Sequence, residues 1–164
     1  MLFMEKKNKY KTLLPQIKSL VAGETDMIAN MANVVAVLHQ TFGFLWTGFY
    51  RVDGSEMVLG PFQGPIACTR IPYGKGVCGA AWERNNTLVV PNVHEFAGHI
   101  ACSSDSKSEI VVPLRHEGHV VAVLDIDSAV YDTFDDTDRC YLECIAQYLT
   151  CSDPQMPHTD YSIH

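Results

Sequence analysis

Positive charge is scarce in this chain: 12 lysines and arginines stand against 19 aspartates and glutamates, for a net charge of −7. That balance argues against nucleic acid and anionic membranes as main partners. Long apolar runs are absent as well, and none reaches the length of a bilayer span. The N-terminal MLFMEKKNKYK carries charge with no apolar stretch behind it, so it does not read as a secretory signal. A cytoplasmic protein is therefore expected. Cys-x-x-Cys pairs are missing, which disfavours structural zinc, a three-thiolate site included, and no metal is expected. The GKGVCG stretch lacks the remainder of a phosphate-binding motif. No internal repeat or low-complexity linker interrupts the 164 residues. One domain over 1–164 is expected, long enough to bury a real core.

What the chain does have is helical patterning at its ends and hairpin patterning between them. From Asn8 to Val21, the residues Leu13, Leu14, Ile17, Leu20 and Val21 fall at helical spacing, with Pro15 either in the first turn or kinking the helix. A second helix is predicted from about Thr25 to Phe42. Its stripe is Met27, Ile28, Met31, Val34, Val35 and Leu38, capped by Thr25 or Asp26 and ended by Gly43. LWTGFYRV and EMVLGPF flank a DGS turn and read as a hairpin. IACTRIP reads as a third strand, GVCGAAWER as a short helix and TLVVPNV as a short strand. EIVVPLRH and HVVAVLDID form another hairpin, and Asp135 or Thr133 caps a C-terminal helix reaching about Cys151. The proline-bearing tail 152–164 is expected to fray. The fold class predicted is α+β: a central antiparallel β-sheet flanked by N- and C-terminal helices, with its core in 8–150.

Six cysteines in an intracellular chain read as catalytic, metal-binding or buried thiols rather than as a disulfide framework. Cys68, Cys78 and Cys102 lie in polar, glycine-bearing stretches with no long helical periodicity. Cys102 is either a nucleophile on a loop, with His94 and His99 supplying a positive field, or a small buried hydrophobe. Cys68 and Cys78 are candidate resolving thiols, because a sulfenic acid condenses with a nearby thiol to a disulfide. Cys68 is the favoured first partner and Cys78 a relay, unless Cys78 packs inward on its short helix. Asp125 and Asp127, two apart on a strand, share a face, and Glu109 on the partner strand can join them. Such carboxylates either repel, so that one pKa rises and it can donate a proton, or are strand-end charges in solvent. Trp46 and Tyr50 also share a face, with Gly48 leaving open space between them. They form either an aromatic-walled recess or ordinary core. Cys140 and Cys144, one helical turn apart, read as core packing.

The stretches WTGFYRV, VLGPFQGPIACTRIPYGKGVCG, VPNVHEFAGHIACSSDSKSEIVVPL and VLDIDS resemble the free methionine-(R)-sulfoxide reductases, which are single GAF domains. The resemblance runs from about Tyr10 to about Leu149. It implies reduction of free L-methionine (R)-sulfoxide to L-methionine, with Cys102 as nucleophile and Cys68 and Cys78 as recycling thiols. It further implies that Glu109, Asp125 and Asp127 bind the substrate, one of them donating a proton, and that Trp46 and Tyr50 hold the methyl group. No bound cofactor is implied; the reductant would be thioredoxin, linked to NADPH. The rival reading is a non-catalytic GAF module that binds a ligand or senses redox state. A homodimer through the N-terminal helix pair is compatible with either. Asn92 and Ser103 stand where this family would carry aspartates.

Overall fold

The computed structural model describes residues 2–100 and 102–151. The expected frayed tail lies outside them. Helix α1 spans Leu2–Val21 and α2 spans Met27–Phe42. Strands β1 (Trp46–Asp53), β2 (Glu56–Gln63) and β3 (Arg70–Pro72) precede α3 (Gly76–Arg84) and β4 (Leu88–Val90). A single 3-10 turn at Val93–Glu95 leads towards β5 (Ser108–His116), β6 (His119–Ser128) and α4 (Asp136–Thr150). The strands form one six-stranded sheet in the order β3-β2-β1-β6-β5-β4, antiparallel throughout.

Alternation along the strands sorts the side chains into two layers. Phe49, Ile110, Val112, Leu114, Ala122, Leu124 and Ile126 point to the face covered by α1, α2 and α4, where they pack with Tyr10, Ile17, Val34, Leu38 and Leu142. The opposite face carries Trp46, Tyr50, Val111 and Val123, packed with Val77, Cys78 and Ala81 of α3. Glu109, Asp125 and Asp127 belong by the same alternation to this second face. The sheet therefore keeps a dry core on one side and sets its acidic strand ends on the other.

Helix α1 begins six residues earlier than its aliphatic pattern predicts, because polar contacts hold its first turns. Lys6 Nζ donates to Asp135 at 2.9 Å, to Asp138 at 2.6 Å and to the Thr133 carbonyl at 3.0 Å. Tyr10 stacks on Tyr141 at 4.9 Å and donates to Asp138 at 2.8 Å. Pro15 consequently sits inside the helix, not in its first turn. It is exposed, as is Lys11 one turn before it, so water can satisfy the carbonyl it leaves unpaired. In α2, Asp26 caps the N-terminus and Gly43 ends the helix with φ 66°. Ile28 departs from the expected stripe and is 45% exposed, and Leu20 of α1 is exposed too. On α4, Asp135 and Asp138 form a reciprocal capping box. The third strand is shorter than IACTRIP. Pairing stops where Leu59 N meets the Thr69 carbonyl, because Pro61 has no N–H to continue the ladder. Residues 64–69 are thereby released as a loop that carries Cys68.

Candidate active site

Three segments converge over the acidic face of the sheet. The 64–69 loop brings Cys68, and the segment after the 3-10 turn brings Cys102. Their sulfurs form a disulfide with Cα atoms 5.5 Å apart, across 34 residues of sequence. Helix α3 brings Cys78, which is buried and not disulfide-bonded. The helix can lie this close to the preceding turn because Gly79 has no side chain: a Cβ there would come within 2.8 Å of the Pro72 carbonyl. Cys68 and Cys102, 34 positions apart, are thus joined at the pocket, while Cys78 faces its floor.

The floor is acidic. Glu109 lies directly opposite Asp127 in the β5–β6 register, and Asp125 is opposite Val111, one pair further along the same face. Glu109 and Asp125 are buried, and Asp127 is partly exposed. Ser106 donates to Asp127 Oδ1 at 2.6 Å. Asp125 Oδ1 is buried without a hydrogen-bond partner. Among the described residues, no lysine or arginine forms an ion pair with these three carboxylates. Burial pushes the Asp125 carboxyl up to about 6, against hydrogen bonds with Glu109 and Cys78 that pull the other way. Burial and the charges of Asp125 and Asp127 raise Glu109 well above the carboxylate range. Asp127 rises through burial and Asp125, with the Ser106 hydrogen bond opposing. Burial excludes the solvent-exposed alternative for Glu109 and Asp125, while Asp127 keeps partial access to water. The site holds buried carboxyls that burial inclines to keep a proton and that have no lysine or arginine partner among the described residues, so they can give up a proton to a substrate and receive a cation in its place.

The aromatic wall is present, but it is built differently from expectation. Trp46 and Tyr50 stack with ring centroids 5.9 Å apart, and Phe62 stacks on Trp46 at 5.3 Å. Gly48 does not leave open space. A Cβ there would fall 2.5 Å from both the Trp46 ring and Phe62 Cβ, so the glycine lets the indole lie flat across the strand. Both polar tips reach the Cys68 loop: Trp46 Nε1 donates to the Pro65 carbonyl at 3.1 Å and Tyr50 to the Cys68 carbonyl at 2.8 Å. Burial and Asp125 push the Tyr50 hydroxyl far up, so it stays a donor.

The two histidines do not form the expected positive field. His94 packs its ring against Tyr131, 6.3 Å between centroids. His99 faces the pocket, its Nε2 3.9 Å from Glu109 Oε2, but burial and His94 lower its pKa, which favours the neutral ring. Cys78 is likewise held neutral, its thiol pushed up by burial and by Asp125 and Glu109. Asn92 and Ser103 do the local work open to an aspartate: Asn92 accepts from His94 N at 3.0 Å, and Ser103 accepts from Asp105 N at 3.3 Å. Ser106, which faces the pocket, and Phe62, which backs the Trp46 ring, are residues that sequence reasoning did not assign. Ser106 had a weak signal as the last polar residue but one before the strand of Glu109. Phe62 is visible only once the strand register pairs it with Gly48. Cys140 and Cys144 sit on α4, across the sheet from the pocket; Cys144 is buried and Cys140 half-buried.

An antiparallel sheet with helices on one face and a ligand-sized recess on the other defines the class of GAF domains, and the GAF domain model matches residues 26–150. Two curated relatives agree over nearly the full length. GAF domain-containing protein A of Dictyostelium discoideum is 56% identical over 145 residues, covering 88% of this chain and 92% of its own. The free methionine-R-sulfoxide reductase of Escherichia coli is 43% identical, covering 96% and 94%. A crystal structure of free methionine-R-sulfoxide reductase from Neisseria meningitidis in complex with its substrate superposes with a TM-score of 0.84 at 56% identity, covering 85% of each chain. The chain belongs to the free methionine-R-sulfoxide reductase family of GAF-domain proteins.

Proposed function

We propose that this protein reduces free L-methionine (R)-sulfoxide to L-methionine through Cys102. The observation that carries the reading is the Cys68–Cys102 disulfide set over a pocket of carboxylates and stacked aromatics. With the disulfide reduced, the Cys102 thiolate attacks the sulfoxide sulfur. The oxygen gains a proton from Glu109, Asp125 or Asp127, and methionine leaves with the electron pair as the oxygen passes to Cys102 as a sulfenic acid. The Cys68 thiol then displaces that oxygen as water and closes the disulfide. A thioredoxin-type dithiol, itself reduced by NADPH, returns both cysteines to thiols. Cys78 serves as a hydrogen-bonding partner of Asp125 in the floor and as a relay thiol that acts after Cys68.

The anionic floor suits the ammonium group of a free amino acid, because a buried cluster without its own cation is relieved by a bound one. The stacked Trp46–Tyr50 pair suits the methyl and the methylene chain. A residue within a polypeptide has no free ammonium to offer. The test is turnover coupled to thioredoxin and NADPH, comparing free R and S epimers with the R epimer inside a peptide. Turnover confined to the free R epimer is expected, and comparable rates on the other two contradict the reading. The same reading places the protein in the cytoplasm, where such a reductant is present. A homodimer through the α1–α2 helix pair is compatible with this reading, and light scattering tests it.

A further inference from the structure

The pocket floor contains a donor set that the reaction above does not need in full. Cys78 Sγ and one oxygen each of Glu109 and Asp125 lie within 4.8 Å of one another, and all three residues are buried. Asp125, 6% exposed, has Oδ1 with no hydrogen-bond partner, although a buried acceptor normally finds one. A thiol with two carboxylates is a set that zinc takes and that magnesium and calcium, which want oxygen alone, do not. Around tetrahedral zinc, ligand atoms stand about 3.4–3.6 Å apart, given the usual metal–sulfur and metal–oxygen lengths. Side-chain shifts of about 1 Å bring the three donors to that spacing.

We propose that this floor is a Zn2+ site in which Cys78, Glu109 and Asp125 supply three ligands and the fourth position opens into the cavity. Binding exchanges the Cys78 thiol proton, and any proton held by the two carboxyls, for the metal; no electrons move. A metal there occupies the place the substrate's ammonium would take, so zinc is a reversible inhibitor. That last step rests on the reductase reading, whereas the metal site itself does not. Three features separate this cluster from an ordinary acidic patch. It is buried, it includes a thiol, and its carboxylates have no lysine or arginine partner among the described residues.

The test uses the full chain with the Cys68–Cys102 disulfide closed, which removes those two thiols from competition. Metal-stripped protein is titrated with Zn2+ against a chromogenic chelator, without substrate, and with Cd2+ while following thiolate-to-metal absorption. One tight equivalent is expected. Cys78→Ser and Asp125→Asn should each weaken it by about tenfold or more, since losing even an indirect contact at a zinc site costs about that much. Cys144→Ser, on the far side of the sheet, should leave it unchanged. Free L-methionine should compete with the metal. Equal affinity in wild type, Cys78→Ser and Asp125→Asn overturns the site, as does the absence of pocket binding in the wild type. If Cys78→Ser does not fold, Asp125→Asn decides the same question. Zinc binding that methionine leaves unaffected overturns the inhibitory role. A chain that binds zinc but never reduces the sulfoxide refutes the reductase reading alone.

Discussion

The Tyr50 hydroxyl donates a 2.8 Å hydrogen bond to the carbonyl of Cys68, so a residue of the pocket wall also holds the backbone of a disulfide cysteine. Trp46, its stacking partner, holds the same loop at Pro65. Pocket and recycling thiol therefore share one support. A neutral hydrogen bond of this kind contributes about 1 kcal/mol. In Tyr50→Phe, closure of the disulfide should slow by about fivefold, the rate equivalent of that energy. Dimedone trapping of Cys102 sulfenic acid after one turnover measures it. Unchanged trapping relative to wild type would show that the Tyr50 contact does not position Cys68.

The two remaining pocket thiols should separate cleanly. Cys68→Ser is expected to yield one equivalent of methionine and then stall, with Cys102 held as sulfenic acid. Cys78→Ser should recycle with a milder defect, because Cys78 is buried on α3 and held protonated beside Asp125. Multiple-turnover assays with thioredoxin and NADPH on both variants check this. Normal recycling in Cys68→Ser with a stall in Cys78→Ser would reverse the assignment.

Ser106 gives Asp127 a 2.6 Å hydrogen bond from a buried hydroxyl. A hydrogen bond to a carboxyl that burial holds towards its neutral form contributes about 1 kcal/mol, so Ser106→Ala should lower kcat/KM by about fivefold. Ser106→Thr, which keeps the hydroxyl, should recover most of the loss. Wild-type kinetics in the alanine variant would remove Ser106 from the site.

The acidic floor has a signature in stability. An unfolded aspartate titrates near 3.9, whereas Asp125 in the fold is pushed up to about 6 by burial. The folded state thus holds a proton that the unfolded chain has released. The contribution of Asp125 is full below pH ~4 and is lost as pH rises through about 6. Asp125→Asn cannot ionise. Its stability relative to wild type should therefore grow between pH 4 and pH 7, read as a widening difference in Tm at fixed ionic strength. A constant or shrinking difference would mean that Asp125 is not strained by burial.

Much of this architecture was legible in the chain, for identifiable reasons. Strand alternation placed Asp125 and Asp127 on one face, but Glu109 comes opposite Asp127 only because a bulge between Leu114 and Arg115 shifts the register by one residue, which the two-residue turn at Glu117–Gly118 does not announce. The bounds of α3 could be read from YGKG and Asn85, the latter capping the helix with φ 49°. What could not be read depended on distant partners. The early start of α1 rests on Lys6 and Tyr10 meeting α4 residues more than 120 positions away. The filled space at Gly48 depends on the indole rotamer of Trp46 and on Phe62 of the neighbouring strand. The lowered basicity of His99 depends on its burial, which no local pattern reports. The truncation of β3 was in principle readable from Pro61, had its place in the ladder been known.

The most direct test of the whole account is a single turnover without reductant. Fully reduced protein is mixed with free L-methionine (R)-sulfoxide, quenched with a thiol-alkylating reagent, and analysed for methionine and for mapped disulfides by mass spectrometry. The account predicts about one methionine per chain, in line with one sulfenic acid per catalytic cycle, with the Cys68–Cys102 disulfide formed in step and Cys78 recovered as its alkylated thiol. Methionine formed while Cys102 remains an unmodified thiol would contradict it, as would a reduced chain that yields no methionine.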